Sequence, residues 1–264
     1  MIFLRSALFA VAFYASTFVL TLLCLPGLVL PYRVALFFEQ QWLAVMLKVV
    51  AWTVGITVEW RGEGNIPDGP VILAAKHQSA WDTIELTRRH PEAVLVLKRE
   101  LTWIPVWGWY LMRLGMIPID RAKGVSALKN IAAAATKALA AGRSVLIFPQ
   151  GTRTPPGAVR PYLPGVAAIY SQLRVPVVPI ALNSGLFWPR RRFMKWPGIV
   201  TVEYLEPIPP GLDRKTFMNT LAERIDSATA RLEAEALQRF PWLPPIPPRE
   251  DTGAAPATAA DAES

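Results

Sequence analysis

Residues 71–82 read Val-Ile-Leu-Ala-Ala-Lys-His-Gln-Ser-Ala-Trp-Asp. The five apolar residues at the start, Val71–Ala75, predict a buried strand. The polar residues that follow would then lie at the end of a strand, which is where open α/β folds carry their chemistry. His77 and Asp82 are the candidate catalytic pair, because a histidine oriented by a carboxylate can take a proton from a hydroxyl. The chain contains only two histidines, and the other, His90, precedes a proline in a polar turn.

The spacing of this pair constrains its geometry. Five residues of α-helix rotate the chain by about 500°, so His77 and Asp82 cannot share one face of a helix. We therefore expect His77 at the end of the strand and Asp82 in the first turn of the next helix, where the helix dipole favours a carboxylate. Asp82 could then accept the Nδ1 proton of His77 and leave Nε2 as the base. The alternative is a hydrogen-bonded core histidine, with Asp82 as a helix cap.

Three later segments also carry an apolar run that ends in polar or small residues. They are Met-Ile-Pro-Ile-Asp-Arg at 116–121, Val-Leu-Ile-Phe-Pro-Gln-Gly-Thr-Arg at 145–153 and Val-Pro-Val-Val-Pro-Ile-Ala at 175–181. Gly151 would let the backbone approach a ligand closely. Arg121 and Arg153 offer planar guanidinium groups that suit phosphate oxygens. A surface salt bridge at Asp120-Arg121 and a simple turn at Gly151 are the alternatives.

These blocks, taken in order, resemble the glycerolipid acyltransferases, and among them the 1-acylglycerol-3-phosphate (lysophosphatidate) acyltransferases. The four blocks are His77–Asp82, Gly115–Arg121, Phe148–Arg153 and Val175–Ala181. Lys-Arg-Glu-Leu at 98–101 is similar to a further element of that family. The resemblance spans about residues 56–210.

The resemblance implies roles for individual residues. His77 would deprotonate the acceptor hydroxyl, and Asp82 would orient it and stabilise its charge. The remaining candidates would bind the substrate, chiefly the phosphate of the acceptor: Lys98, Arg121, Gln150, Gly151, Thr152 and Arg153. The fourth block would form part of the wall of the acyl or acceptor pocket. The substrates implied are a lyso-phospholipid acceptor and an acyl-CoA or acyl-carrier-protein donor.

Two positions depart from the family pattern and leave the acceptor open. Lys76 stands where the family often has Asn, which would add a cation beside the pair. Gln150 replaces the usual Glu and removes a negative charge, although its amide both donates and accepts hydrogen bonds. Acylation of another lyso-lipid, such as a lyso-aminolipid, is therefore an alternative. A catalytically inactive membrane lipid-binding protein is the alternative from a different class.

The sequence favours direct transfer without a covalent acyl-enzyme. It contains no Gly-x-Ser-x-Gly nucleophile elbow, and its single cysteine, Cys24, lies in the apolar N-terminal segment. It also lacks a Gly-x-x-x-x-Gly-Lys phosphate loop, so we expect the acyl group to arrive already activated as a thioester. No cofactor is expected.

Composition narrows the remaining possibilities. A chain of 264 residues with one cysteine forms no internal disulfide, and two histidines thirteen residues apart give no spacing typical of a metal site. The net charge is +8, and residues 121–202 hold twelve basic side chains and no acidic one. The positive electrostatic field of such a segment attracts phosphate head groups, an anionic carrier or an acidic membrane surface. Nucleic acid is not an expected partner, because no nucleic-acid-binding motif is present.

The N-terminal segment predicts a membrane-associated helical hairpin. Residues 6–31 carry no charged side chain, and a helix of that length is long enough to cross a hydrocarbon core of about 30 Å. Val34–Gly55 is a second largely apolar stretch. A cleaved signal peptide is the competing interpretation. We expect three regions: a membrane-associated segment at 1–55, an acyltransferase domain at 56–240 and a disordered Pro/Ala-rich tail at 241–264. Cytoplasmic acyl thioesters would place the enzyme at the cell inner membrane, with its active domain facing the cytoplasm.

The rest of the chain alternates between strand-like and helical patterns, which predicts an α/β fold with a mixed, mostly parallel central sheet flanked by helices. Strands are expected at 56–60, 71–75, 93–97, 145–148, 175–181 and 199–205, and helices at 103–114, 125–141, 166–173 and 213–239. A basic loop at 188–196, flanked by tryptophans, is expected to contact the membrane surface or the acyl donor.

Overall fold

The structure is a computed structural model that describes residues 1–120 and 124–246, apart from the side chain of Val125. Its helices are α1 Ile2–Leu23, α2 Tyr32–Thr53, α3 Ala80–Arg89, α4 Trp107–Arg113, α5 Gly124–Ala140, α6 Gly165–Leu173 and α7 Arg214–Arg239. Its strands are β1 Ile56–Arg61, β2 Ile72–Ala75, β3 Val94–Lys98, β4 Ile117–Ile119, β5 Val145–Ile147, β6 Val177–Leu182 and β7 Gly198–Tyr204. Arg121 and most of the predicted tail, residues 247–264, lie outside the described residues.

The strands of the described residues form one sheet in the order β1-β7-β6-β2-β5-β3-β4. Every neighbouring pair is parallel except β6 and β7, which are antiparallel. The predicted mixed, mostly parallel sheet is therefore confirmed. Ala74 of β2 is in register with Ile147 of β5 and Pro179 of β6. Three of the four sequence blocks consequently meet at the carboxyl ends of these central strands.

The sheet is buried on both faces. In β2 the side chains alternate, so Leu73 and Ala75 join one core cluster, and Ile72 and Ala74 join the other. The first cluster includes residues of α2, α3 and α4, and the second includes residues of α5, α6 and α7. Helices thus cover both faces, as expected for a sheet whose strands are mainly parallel. β2, at the centre, is completely buried, which fixes the start of the polar segment that follows it.

The two N-terminal helices fit the predicted hairpin. Each of α1 and α2 has 22 residues, or about 33 Å of helix, and is long and apolar enough to cross a membrane. α1 exposes a series of large apolar side chains, namely Phe3, Leu4, Leu8, Val11, Tyr14, Phe18, Val19, Leu22 and Leu23. A surface of this kind is costly to leave in water.

The helix predicted at 103–114 is shorter than expected. The chain first forms a 3₁₀ turn at Arg99–Trp103, and α4 begins only at Trp107. Ile104 is extended because it precedes Pro105, and Val106 has a φ of 64°, so neither residue continues a helix. Gly108 then allows close approach of the two turns, because a Cβ there would lie 2.2 Å from the carbonyl oxygen of Thr102.

Candidate active site

His77 and Asp82 meet in the strand–turn–helix geometry that their spacing predicts. Nδ1 of His77 lies 2.9 Å from Oδ2 of Asp82. α3 begins after Ser79, whose hydroxyl accepts a hydrogen bond from the backbone N–H of Trp81. Oδ2 of Asp82 also accepts hydrogen bonds from the backbone N–H groups of Gln78 at 2.7 Å and Ser79 at 2.8 Å. The carboxylate of Asp82 thus caps the helix and orients the imidazole at the same time.

Ser184 completes the surroundings of Asp82. Its hydroxyl donates a hydrogen bond to Oδ1 of Asp82, from the turn that follows β6. Both side chains are fully buried, with 0% exposure. His77, by contrast, is 16% exposed. The pair therefore combines a fixed carboxylate with an imidazole that reaches the surface, and Nε2 is the nitrogen that does not face Asp82.

The segment after β5 covers the imidazole. The ring of Phe148 stacks on that of His77, with centroids 4.0 Å apart and an interplanar angle of 22°. The backbone N–H of Thr154 donates to the carbonyl oxygen of His77 at 2.7 Å. The third sequence block is consequently in direct contact with the first.

Two carboxylates of α7 fix the residues on either side of His77. Nζ of Lys76 lies 2.7 Å from Oδ1 of Asp226, and Nε2 of Gln78 lies 2.6 Å from Oε1 of Glu233. Seven residues separate the two acids, which is about two helical turns, so both lie on one face of α7. Lys76 is only 2% exposed, and Asp226 matches its charge. The expectation that Lys76 adds a cation beside the pair is therefore wrong: its ammonium group is directed to α7.

The substrate-binding candidates of the third block form a tight turn. Gly151 has a φ of 66°, and its N–H donates to the carbonyl oxygen of Phe148 at 2.9 Å. Thr152 accepts a 3.4 Å hydrogen bond from Nη1 of Arg190. Gln150 is 5% exposed, and neither its amide oxygen nor its amide nitrogen has a partner among the described residues. Buried polar groups in folded proteins nearly always have a hydrogen-bond partner, so this amide is an exception among the described residues.

Arg153 lies in a positive environment. Burial, and then Arg190, lower the pKa of its guanidinium; Asp82 acts in the opposite direction, and Arg191 lowers the pKa further. The guanidinium of Arg153 therefore lies within electrostatic reach of both the Asp82 carboxylate and the loop that holds Arg190.

The other two candidate cations are placed differently. Lys98, at the end of β3, is separated from β2 by β5, and its Nζ lies 3.4 Å from Oε1 of Glu100 on the surface. Arg121 lies outside the described residues, but the neighbouring Asp120 forms an ion pair with Arg99 at 2.5 Å. This ion pair joins the segment after β3 to the end of β4.

The fourth block lies in the sheet. All residues of β6 are buried, between β2 and β7, and the strand delivers Ser184 to Asp82. Sequence reasoning missed Ser184, Phe148 as a stacking partner, and Arg190 as a neighbour of the third block. Arg190 lies in the basic loop, which also contacts α1: the backbone N–H of Lys195 donates to Oγ of Ser6 at 3.0 Å.

An imidazole that is oriented by a carboxylate at the end of a buried strand is an arrangement typical of enzymes that take a proton from a hydroxyl group. Comparison with known proteins identifies the family. A family model described as Acyltransferase matches residues 57–183. The chain is 38% identical, over 201 residues, to the 1-acyl-sn-glycerol-3-phosphate acyltransferase of Pseudomonas aeruginosa, covering 75% of this chain and 78% of that protein.

More distant relatives agree. The human 1-acyl-sn-glycerol-3-phosphate acyltransferase alpha is 30% identical over 186 residues, which cover 69% of this chain and 66% of the human protein. The crystal structure of the 1-acyl-sn-glycerophosphate acyltransferase PlsC from Thermotoga maritima has the same fold, with a TM-score of 0.73 at 23% identity, covering 89% of this chain and 98% of that one. The chain belongs to the acyltransferase family and is an acyltransferase.

Proposed function

We propose that this enzyme transfers an acyl group from an acyl thioester to the free hydroxyl of 1-acylglycerol 3-phosphate, giving phosphatidic acid. The names of the Pseudomonas and human relatives support this acceptor. The observation that carries the chemistry is the 2.9 Å contact between Nδ1 of His77 and Asp82 at the end of β2. The thiol carrier of the donor is CoA or acyl-carrier protein.

The proposed reaction is a single acyl transfer. Nε2 of His77 takes the proton of the acceptor hydroxyl as its oxygen attacks the thioester carbonyl and forms the new C–O bond. The C–S bond then breaks, and the thiolate leaves as a thiol with the proton that His77 carried. Asp82 accepts a hydrogen bond from Nδ1–H of His77 throughout and stabilises the imidazolium. General-base assistance of this kind supplies about 10²- to 10⁴-fold, and alignment of the two substrates supplies more.

The neighbouring hydroxyls support transfer without an acyl-enzyme. Ser184 donates a hydrogen bond to Asp82, and Ser79 serves as the cap of α3. Cys24 is buried at the end of α1, where its thiol contacts the carbonyl oxygen of Phe38. Each of these candidate nucleophiles has a structural partner instead of the imidazole, which is the opposite of the arrangement that activates a nucleophile.

The third block would bind the phosphate of the acceptor. Arg153 supplies the guanidinium, and Gly151, Thr152 and Gln150 supply the turn and the polar groups, with Lys98 and Arg121 as further cations. α1 and α2 would hold the site at the bilayer, where the lyso-phospholipid is dissolved, at the cytoplasmic face of the inner membrane. The absence of acidic residues from 121 to 202 supports an anionic acceptor and an anionic carrier.

A transfer assay on the purified full chain tests this proposal. CoA and acyl-carrier-protein thioesters are each offered with a panel of lyso-lipids, and we expect turnover to be greatest with 1-acylglycerol 3-phosphate. Arg153→Glu should raise the KM for that acceptor chiefly, whereas Arg160→Glu, the same charge change at an exposed position, should not. Equal loss of turnover with an acceptor that lacks phosphate would show that Arg153 does not bind phosphate.

Gln150 keeps a second acceptor class in consideration. Its buried amide has no partner among the described residues, and it replaces a carboxylate that the family usually carries. An amide can donate to an acceptor oxygen that a carboxylate would repel. If the enzyme acylates a lyso-aminolipid instead, that substrate should exceed 1-acylglycerol 3-phosphate in kcat/KM, and Gln150→Glu should shift the ratio of the two.

A further inference from the structure

Asp226 of α7 joins two segments of the site. Its Oδ1 lies 2.7 Å from Nζ of Lys76, the residue before His77, and it also accepts a hydrogen bond from the hydroxyl of Tyr162 at 3.1 Å. Tyr162 belongs to residues 154–163, the segment that follows the third block. One carboxylate therefore binds both the residue next to the imidazole and the chain that leaves the third block.

Glu233, two turns further along α7, repeats this arrangement. Its Oε1 accepts from Nε2 of Gln78, the residue after His77, at 2.6 Å, and its Oε2 accepts from the backbone N–H of Gly157 at 3.0 Å. Glu233 is 4% exposed and Gln78 is 1% exposed, so these contacts are shielded from water. Because both carboxylate oxygens accept from N–H groups, an amide at this position would direct its own N–H groups at one of the two donors.

α7 is itself fixed to the sheet. Nδ2 of Asn183 donates to the carbonyl oxygen of Leu232 at 3.0 Å, and Oδ1 of Asn183 accepts from the backbone N–H of Thr201 at 2.9 Å. Asn183 comes directly before Ser184, whose hydroxyl binds Asp82. The helix and the turn that orients Asp82 are therefore parts of one hydrogen-bonded frame.

The two segments that α7 joins are also in close contact with each other. Oε1 of Gln78 accepts from the backbone N–H of Gly185 at 3.0 Å, and a Cβ at Gly185 would lie 3.0 Å from both Cβ of Gln78 and Cδ of Pro156. The N–H of Thr154 donates to the carbonyl oxygen of His77. A shift of either segment relative to α7 would consequently reach the backbone of His77.

We propose that Asp226 and Glu233 are positioning residues, which together form a clamp on α7 that holds His77 in register with the third block. This inference rests on the proposed function, because it takes His77 as the base. It deepens that function by giving a role to a helix outside residues 57–183, the range that the family model matches. Reacting groups are sensitive to small displacements, since a shift of about 1 Å can lower the rate by about 10²-fold.

An exchange of amide and carboxylate tests the Glu233 half of the clamp. Glu233→Gln should lower kcat about 5- to 30-fold and leave the KM of both substrates within about threefold, because it alters alignment and not the groups that bind substrate. In the double variant Gln78→Glu/Glu233→Gln the hydrogen bonds to Gly157 and Gly185, and the one between the two side chains, can all form again. Its kcat should return to within about threefold of the wild type. A double variant as slow as Glu233→Gln would overturn the proposal.

Two tyrosines provide a matched pair for the Asp226 half of the clamp. Tyr162→Phe removes the hydroxyl that binds Asp226 and leaves the pairing of Lys76 with Asp226 in place. Tyr170→Phe removes a hydroxyl of α6 that donates to the carbonyl oxygen of Pro209 at 2.5 Å. We expect kcat to fall about 3- to 10-fold in Tyr162→Phe and by less than about twofold in Tyr170→Phe. Equal values of kcat in the two variants would overturn the role of Asp226.

Hydrogen–deuterium exchange of the full chain follows the clamp without turnover. We expect Glu233→Gln to accelerate exchange at the backbone N–H groups of residues 154–163 by about tenfold or more, and Tyr170→Phe to leave their exchange unchanged. Unchanged exchange in Glu233→Gln would overturn the clamp, and faster exchange with a wild-type kcat would overturn its positioning role. A wild type that acylates a different lyso-lipid would contradict the proposed function alone, because the kcat of each variant is then measured with that lyso-lipid.

Discussion

The hydroxyl of Ser184 donates a hydrogen bond to Oδ1 of Asp82, while Oδ2 of the same carboxylate lies 2.9 Å from Nδ1 of His77. The turn after β6 and the helix after β2 are therefore joined through one carboxylate. Asp82 is completely buried, so its orientation is set by these contacts and not by solvent. The position of the imidazole depends on them in turn.

Removal of Ser184 should weaken catalysis without abolishing it. Ser184→Ala removes one of the four donors around Asp82 and leaves His77, Gln78 and Ser79 in place, so we expect kcat to fall about 5- to 30-fold, the effect of about 1–2 kcal/mol. The KM of both substrates should change little, because Ser184 is fully buried and its hydroxyl is bound to Asp82. Steady-state kinetics check this, and a circular dichroism spectrum of the variant establishes that it is folded. A rise in KM with unchanged kcat would contradict a positioning role.

The buried ion pair between Lys76 and Asp226 should be sensitive to the loss of either partner. Asp226→Leu leaves a 2% exposed ammonium group without its carboxylate and should lower the free energy of unfolding by about 3–5 kcal/mol. The double variant Lys76→Met/Asp226→Leu should recover most of this loss, since two apolar side chains of similar volume can replace a buried pair. Melting temperatures in detergent measure both the loss of stability in the single variant and its recovery in the double variant.

An exposed ion pair serves as the control for this experiment. Arg239 pairs with Glu59 at the surface, with the two side chains 51% and 34% exposed, so Arg239→Met should change stability by no more than about 1 kcal/mol. If the double variant of Lys76 and Asp226 is as unstable as the single one, desolvation of the lone ammonium is not the reason for the loss.

Glu85 should make stability depend on pH. Burial raises its pKa to about 7, and Arg88 opposes this effect. The folded protein therefore keeps Glu85 protonated up to about pH 7, whereas the unfolded chain releases that proton near the ordinary value of 4.5. The stabilising contribution is complete below pH 4.5 and is lost as the pH rises through about 7.

The substitution Glu85→Gln tests the direction of this pH dependence of stability. At pH 8 the variant should be more stable than the wild type by about 3 kcal/mol, or about 6–12 °C in melting temperature, whereas near pH 4.5 the two should be nearly equal. Glu223→Gln, at an exposed position of α7, should not show this pH-dependent difference in stability. A Glu85→Gln variant that is less stable than the wild type at pH 8 would contradict a buried, protonated carboxyl.

The parts of the site that sequence reasoning anticipated are local in sequence. The end of β2, the cap at Ser79 and Asp82 in the first turn of α3 are all encoded within twelve residues, so a strand signal and a helix-start signal suffice to place them. The parallel sheet follows similarly from apolar runs that alternate with helical patterns. The roles assigned to individual side chains stay predictions.

The contacts that were missed are distant in sequence. Ser184 is 102 residues from Asp82, and the two meet because β6 pairs with β2, a neighbour relationship that no local pattern encodes. The sequence alone does not distinguish between the three consecutive arginines Arg190, Arg191 and Arg192. Only the turn at Arg191 and the attachment of Lys195 to α1 distinguish the arginine at Thr152 from the exposed one.

Lys76 was misplaced for a simple geometric reason. Successive side chains at the end of a strand point to opposite faces, so neighbours of His77 on either side face away from it. Both Lys76 and Gln78 are accordingly bound by α7, through Asp226 and Glu233. The ammonium group of Lys76 is consequently paired with Asp226, although Lys76 is next to His77 in sequence.

The central claim is that His77 acts as a general base in a direct transfer, and the turnover number of His77→Gln tests it most directly. The measurement uses saturating acyl thioester and 1-acylglycerol 3-phosphate, with the melting temperature as the check on folding. We expect kcat to fall by about 10²- to 10⁴-fold while the variant remains folded. A folded His77→Gln variant whose kcat stays within about tenfold of the wild type would contradict the account.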